Sequence, residues 1–306
     1  MQPGQTDEDG PRHDTIGHRP SRTRRAGRAF QESEKSNMYS MKDVQPVAPA
    51  AGYIGGKRNL AGRLVPMIDG TPHDSYAEPF VGMGGIFLKR RRRPRAEYIN
   101  DISGDVATFF RVLQEHYPYL MDMLRFRVAS RAEFERLRAM PGERLTDLQR
   151  AARFLYLQRL AFGGKVEGRT FGVSVGRGSG FNVSRLEPVL AEIHDRLAGV
   201  VIDQLDYGDF IRRYDRAGTL FYLDPPYWGC ETDYGQDVFG RGDFERLAAQ
   251  LGAIKGRFLL SINDTRGARE VFRSFRMLEF DTSYSVAAGA AKKARELVIA
   301  NFEPRR

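Results

Sequence analysis

The chain has 306 residues, 41% of them hydrophobic, and a formal net charge of +9 at pH 7. That length can bury a substantial core, and the basic balance favours a polyanionic partner. The single cysteine, Cys230, excludes an intrachain disulfide framework and a multi-cysteine zinc site, no run of eighteen apolar residues offers a membrane span, and the N-terminus lacks a secretory signal pattern.

Residues 1–45, rich in Gly, Pro, Ser, Arg and acids without apolar periodicity, read as a disordered tail. They hold eight Lys and Arg against seven Asp and Glu, so the remainder carries about +8. Every motif lies beyond Met38 and Met41, either of which could be the translation start. Arg22-Thr23-Arg24-Arg25 reads as unstructured extension, with a DNA-contacting arm as the alternative. Next, Gly52-Tyr53-Ile54-Gly55-Gly56-Lys57-Arg58 is not a P-loop, which would need Gly at 51 and Ser or Thr at 58; Ala51 and Arg58 stand there. Tyr76-Ala77-Glu78-Pro79-Phe80-Val81-Gly82-Met83-Gly84-Gly85 reads as a short strand entering a Gly-rich turn, where a ligand can approach the backbone, followed by a helix start at Ile86-Phe87-Leu88. The basic run Lys89 to Arg95 reads as the solvated end of that helix, stopped by Pro94, with a phosphate-contacting patch as the alternative. Tyr98-Ile99-Asn100-Asp101 is a second strand ending in an acid, the position from which a carboxylate holds ribose hydroxyls.

From residue 115 to about 198 the strand–helix alternation stops. Helical patterns at about 118–127, 131–139 and 147–161 lead into a Gly-rich polar stretch from Gly163 to Asn182. Lys165, Arg169, Arg177 and Asn182, interleaved with Phe171 and Phe181, form a set that can contact phosphates, read base edges and fill the gap left by a flipped base. A mobile loop with incidental charge is the plainer alternative. After a strand at Val200-Val201-Ile202-Asp203, Asp209 is a third acid near a strand end, or else a helix N-cap.

The apolar run Leu220-Phe221-Tyr222-Leu223 then stops at Asp224-Pro225-Pro226-Tyr227. Two prolines remove two N–H donors and leave rigid acceptor carbonyls between a carboxylate and an aromatic face. Such a turn suits an amino group on a flat ring: Asp224 and the Pro225 carbonyl accept its hydrogens while Tyr227 stacks. A simple Pro-Pro turn capped by Asp is the bland reading. Acidic strand ends beside a Gly-rich turn that is not Gly-x-Gly-x-x-Gly fit a phosphate-free nucleoside bearing an amino acid. Beyond the turn, residues 234–242 read as a lid, Asp243 begins a helix, Arg257 to Asp264 form a buried strand, and the loop Val286 to Lys293 precedes a closing strand at Glu296 to Phe302.

In this order, Gly55-Gly56-Lys57, Glu78-Pro79-Phe80-Val81-Gly82-Met83-Gly84, Asn100-Asp101 and Asp224-Pro225-Pro226-Tyr227 resemble the Dam-type (class alpha) DNA adenine-N6 methyltransferases across residues 50 to 303. The resemblance implies an α/β Rossmann-like methyltransferase sheet, mostly parallel with an antiparallel final strand. It implies a catalytic domain of residues 46–115 and 199–306, with an inserted target-recognition domain at 116–198. Also implied are S-adenosyl-L-methionine as cofactor and site-specific transfer of its methyl to N6 of an adenine flipped from duplex DNA. Asp224, Pro225, Pro226 and Tyr227 would be catalytic; Tyr53, Gly56, Lys57, Glu78, Pro79, Phe80, Gly82, Gly84, Asp101, Asp209 and Asp224 would hold the cofactor; Lys165, Arg169, Arg177 and Asn182 would contact DNA. Tyr53 stands where family members often carry Trp. No metal is required by this scheme, and the five histidines are scattered. A cognate restriction endonuclease is a candidate partner, with a cytoplasmic, DNA-associated location and no membrane. Methylation of cytosine N4 in DNA or adenine N6 in RNA remains open, because the same pocket would serve it.

Overall fold

The structure, a computed structural model, describes residues 41–57, 60–172, 176, 178–231, 235, 238–284 and 292–304. Residues 1–40, including the arginine cluster at 22–25, lie outside the described residues. So do Arg177, residues 234, 236 and 237 of the lid expected at 234–242, and residues 286–291 of the loop expected at 286–293.

Lys42–Asp43 (β1), placed by sequence in the tail, instead pairs antiparallel with Arg92–Arg93 (β3). The other strands form one seven-stranded sheet: Ser75–Glu78 (β2), Ala96–Asn100 (β4), Val201–Asp203 (β5), Thr219–Leu223 (β6), Arg257–Asn263 (β7), Arg276–Tyr284 (β8) and Lys292–Ala300 (β9). Their spatial order is β5-β4-β2-β6-β7-β9-β8. The strands from β5 to β7 pair in parallel, and β9 pairs antiparallel with both β7 and β8, as the sequence predicts. Chain order runs outward from β2 to β4 and β5, then outward again from β6 to β7. The C-terminal edges of β2 and β6 therefore flank a topological switch point, where open α/β sheets bind ligands.

β6 is buried at every position. Alternate residues serve opposite faces: Leu220 and Tyr222 join one apolar cluster, Phe221 and Leu223 the other. A strand covered on both faces requires this unbroken apolar run. The second face is covered by Tyr207–Tyr214 (α7), Arg241–Ala253 (α8) and Arg266–Val271 (α9), through Phe210, Phe244 and Ala268.

The first face is covered by Ala61–Asp69 (α1) and Gly104–Glu115 (α2), and the same cluster continues into Tyr117–Arg125 (α3), Arg131–Ala139 (α4), Asp147–Leu160 (α5) and Val183–Leu197 (α6). The helices α3, α4 and α5 match the three predicted helical patterns, and α6 adds one that begins at residue 183. Their starts are written locally: Ser130 caps α4, Thr146 and Gln149 form a capping box on α5, and Asn182 caps α6.

The basic run 89–95 departs from expectation. After Gly85 the chain makes only a 3-10 turn, Phe87–Lys89, and then extends into β3. Arg90 is fully buried, its guanidinium 3.6 Å from the centre of the Tyr76 ring and its Nη1 2.8 Å from Glu97 Oε1. Arg90 is thus neither a solvated helix end nor a phosphate contact.

Candidate active site

A cavity of about 720 Å³ opens at the switch point, lined by the ends of β2, β4 and β6 and by the loop preceding α1. That volume falls within the range of small-molecule sites. Asn100, buried at the end of β4, ties the edge together. Its Nδ2 donates to the carbonyls of Pro79 and Leu205, both at 3.0 Å, and its Oδ1 accepts from Leu205 N at 2.8 Å. The ends of β2 and β4 and the segment after β5 are thereby held in one register.

Glu78, Pro79, Phe80 and Gly82 all line the cavity. Gly82 has φ +50°, and a Cβ there would stand 3.0 Å from the Tyr53 ring, so the turn can close only on glycine. Gly84, expected at the ligand, is outside the lining; at φ +74°, a Cβ would meet Leu88 at 3.0 Å and Phe110 at 3.4 Å. Its requirement is packing of the turn on α2. Glu78 is buried and accepts the Tyr76 hydroxyl at 2.5 Å; burial pushes its carboxyl up to about 8, against the pull of that bond and of Arg90. Asp101 accepts from Gly82 N and Ser103 N, both at 2.9 Å, and burial raises it to about 6 despite those two donors. Its remaining lone pairs are open to a ligand hydroxyl.

Tyr53, Gly56 and Lys57 also line the cavity, next to the Gly-rich turn. The loop that carries them is anchored by α5: Gln158 Nε2 donates to Gly52 O at 2.9 Å and Gly164 O at 2.8 Å, and Ile54 N donates to Gly164 O at 3.0 Å. Asp224 closes the floor at the end of β6. Lys57 Nζ stands 2.5 Å from its Oδ1, and Ser261 Oγ donates to the same oxygen at 3.3 Å. Burial raises the Asp224 carboxyl to about 6; Lys57 and Ser261 oppose the rise and Glu296 adds to it. Pro226 lines the cavity with Asp224, whereas Pro225 and Tyr227 do not. The Tyr227 hydroxyl accepts from Lys57 at 2.9 Å and donates to Glu296, so its polar end is engaged behind the pocket wall.

Asp209 does not reach the cavity. It lies exposed in the first turn of α7, ion-paired with Arg212, while Asp206 lines the pocket and caps that helix through Gly208 N at 2.9 Å. Sequence reasoning singled out an acid one helical turn too late; Asp206 sits nearer the end of β5 and has the N-cap chemistry that could have marked it.

In the Gly-rich segment, Lys165 is exposed. Arg169 donates to Lys165 O and to Gln158 Oε1, each at 3.3 Å, and its burial pulls its pKa below the usual guanidinium range. Asn182 spends its side-chain oxygen on Arg185 N at 3.1 Å as the cap of α6. Phe181 is buried against Tyr156, and Phe171 packs on Phe134 and under Arg131, so neither is placed to fill a base gap as expected. The exposed aromatic is Phe162, 49% accessible and adjacent to the lining residue Gly163. Arg159, also on the lining, donates to Gly180 O and Ala50 O. Neither Phe162 nor Arg159 was chosen from sequence, where each reads as part of an apolar helix end.

A mostly parallel sheet with an antiparallel closing hairpin, and a switch-point pocket joining a Gly-rich turn to an Asp-Pro-Pro turn, is the Rossmann-like methyltransferase architecture. Over residues 53–286 the sequence matches the family described as D12 class N6 adenine-specific DNA methyltransferase, and the chain belongs to that family. It is a DNA adenine-N6 methyltransferase that takes DNA and a methyl donor as substrates. Similar proteins include the type II methyltransferase M.CviBI of Paramecium bursaria Chlorella virus NC1A, 23% identical over 83% of this chain and 99% of that one. Another is the type II methyltransferase M1.LlaDCHI of Lactococcus lactis subsp. cremoris, 25% identical over 83% of this chain and 95% of its own length. Among solved structures, a precorrin 8w decarboxylase from Methanobacterium thermoautotrophicum covers 86% of this chain and 96% of its own, with 10% identity and a TM-score of 0.36, a likeness too slight to carry weight.

Proposed function

We propose that the pocket binds S-adenosylmethionine and that Asp224, with the Pro225 carbonyl, receives the N6 amino group of an adenine flipped from duplex DNA. The carrying observation is that one continuous cavity joins the Asp224 carboxylate to the Gly-rich turn at Pro79–Gly82. The donor set fits this cofactor. The carboxylates of Asp101 and Asp206 and the protonated carboxyl of Glu78 line the cavity with aromatic walls from Tyr53 and Phe80, suited to a cationic nucleoside with hydroxyls to hold. Pro79 and Gly56 shape the backbone around it; Gly84 supports the turn from behind. When bound, the cofactor supplies an electrophilic methyl on a sulfonium.

This chain contributes orientation and charge placement. Asp224 accepts an N6 hydrogen, drawing the amino lone pair out of the ring toward the methyl; as the N–C bond forms and the S–C bond breaks, one N6 proton leaves, with Asp224 as its acceptor. Tyr227 acts through its hydroxyl on Lys57. Residues 116–198 serve target recognition, supported by exposed Lys165 and Phe162 beside the pocket rim; Arg169 shapes that rim. No helix among the described residues is long and apolar enough to cross a membrane. The relatives named type II methyltransferases support a site-specific enzyme; a cytoplasmic, DNA-associated location and a cognate restriction endonuclease as partner complete this reading.

The test is tritiated methyl transfer from S-adenosylmethionine to unmethylated duplex DNA, followed by nucleoside identification. Label in N6-methyladenine supports the reading; label in N4-methylcytosine, or in RNA alone, overturns it. Asp224→Ala should lower turnover by at least about 10²–10³-fold, with cofactor affinity retained.

A further inference from the structure

A buried carboxylate stands behind the Asp-Pro-Pro-Tyr turn. Glu296, 1% exposed, lies in β9 directly opposite Asn263 of β7. Its Oε1 accepts the Tyr227 hydroxyl, and its Oε2 has no hydrogen-bond partner among the described residues. Burying a charge in that way is costly, so β9 alone gives no reason for it. The Tyr227 oxygen that donates to Glu296 also accepts Lys57 Nζ at 2.9 Å, and the same Nζ reaches Asp224 Oδ1 at 2.5 Å. A phenol has one proton. By taking it, Glu296 turns the oxygen lone pairs toward Lys57; a hydroxyl free to rotate could instead aim its proton at the ammonium and push it away.

Resting on the reading of Asp224 as acceptor of the target amino group, the geometry points to Glu296 as a positioning residue for methyl transfer, holding Asp224 in place through Tyr227 and Lys57. The chain joins β9, the Asp-Pro-Pro-Tyr turn and the loop before α1, three segments far apart in sequence. Glu296 never meets the substrates. Its effect is on where the Lys57 charge sits and hence on the aim of Asp224, which is also faced by Ser261 and Tyr222 and influenced by Glu78.

The experiment uses the full chain as wild type, Glu296→Gln, Glu296→Asp, Tyr227→Phe and the Tyr227→Phe/Glu296→Gln double variant. Single-turnover methyl transfer to duplex DNA is followed against pH, with separate titrations of S-adenosylmethionine and DNA. Glu296→Gln is expected to slow transfer by about 10²-fold, the scale of a misplacement near 1 Å, while both affinities hold. Glu296→Asp should recover part of the loss. The acid limb of the profile should move to lower pH, because removing the Glu296 charge removes one cause that raises Asp224. The double variant should be no slower than the worse single, since both break one link. Wild-type transfer in folded Glu296→Gln, or losses that multiply in the double, would overturn the proposal. If Glu296→Gln does not fold, Tyr227→Phe decides: it breaks the link while leaving the carboxylate, and full-rate transfer refutes the inference. A dead Asp224→Ala beside fully active Glu296 and Tyr227 variants leaves the site reading intact and removes only this inference; an active Asp224→Ala removes the site reading itself.

Discussion

Asp224 combines a strand-end position, a carboxylate largely shielded from solvent and a lysine at 2.5 Å, and its proton affinity follows from these. With burial raising it to about 6, kcat/KM should fall on the acid side of about pH 6 as the acceptor protonates; a profile flat down to pH 5 would deny Asp224 its role. Glu78 has a different consequence. Its folded pKa of about 8 exceeds its ordinary 4.5, so the native state binds the extra proton. The stability this confers is full below about 4.5 and is lost as pH rises through 8. The wild-type urea midpoint should therefore decline between about pH 5 and 8, and Glu78→Gln should flatten that decline. Gly82 tests the cofactor wall: with φ +50° and a Cβ only 3.0 Å from the Tyr53 ring, Gly82→Val must displace that ring or the turn. The cost of about 1–2 kcal/mol for the backbone alone implies at least about a tenfold loss of cofactor affinity by calorimetry. An unchanged affinity would mean that the Gly-rich turn does not hold the cofactor.

Between elements, the junction that matters is α6 with β4. Arg196 near the end of α6 grips Glu97 of β4 in a two-pronged pair, both contacts at 2.6 Å, while Arg90 and Arg93 approach from the chain before β4 at 2.8 and 3.1 Å. Burial would raise the Glu97 carboxyl, yet the guanidiniums hold it below the usual carboxylate range. Arg196 also lies 4.2 Å from the Phe87 ring centre, so α6 is pinned beside the Gly-rich turn. Glu97→Gln would leave buried cations uncompensated and should cost about 3–5 kcal/mol in chemical denaturation. Arg90 and Arg93 are near neighbours of residue 97 in sequence, but nothing local announces the two-pronged partner Arg196, 99 positions away. The helices themselves were legible, since caps at Ser130 and Thr146 and the apolar spacing are local signals.

Across the molecule, the helices of 116–198 share one apolar cluster with a face of the sheet, from Phe134 and Ile193 to Tyr76 and Leu220. Residues 116–198 are therefore built onto the sheet, and their Gly-rich segment is tied to the pocket wall through Gln158. A basic protein acting on duplex DNA should bind with strong salt dependence. Lys165→Ala should reduce the slope of log affinity against log salt by about 1 without changing the site methylated. Asn182→Ala, by contrast, should act on helix stability, lowering it by about 1 kcal/mol through loss of the α6 cap, with little change in site preference. An altered methylation site in Asn182→Ala would place that residue at the bases instead.

The sequence by itself determined the local chemistry: the apolar run ending at Asp224, the Gly-rich turn after Glu78, the acid after β4 and the closing antiparallel strand. These are contiguous patterns whose meaning depends on near neighbours, and their order along the chain carries the family resemblance. Tertiary structure alone decided which side chains meet. It set Lys57 against Asp224 and Tyr227, the latter 170 positions away, gave the pocket Asp206 in place of Asp209, and engaged the Tyr227 hydroxyl with Glu296. It also buried Phe181 and Arg90 while leaving Phe162 exposed. The reason is physical: burial and pairing depend on which faces are brought together by packing, and the general preference of phenylalanine for the core and arginine for the surface does not decide an individual residue until its neighbours from distant segments arrive.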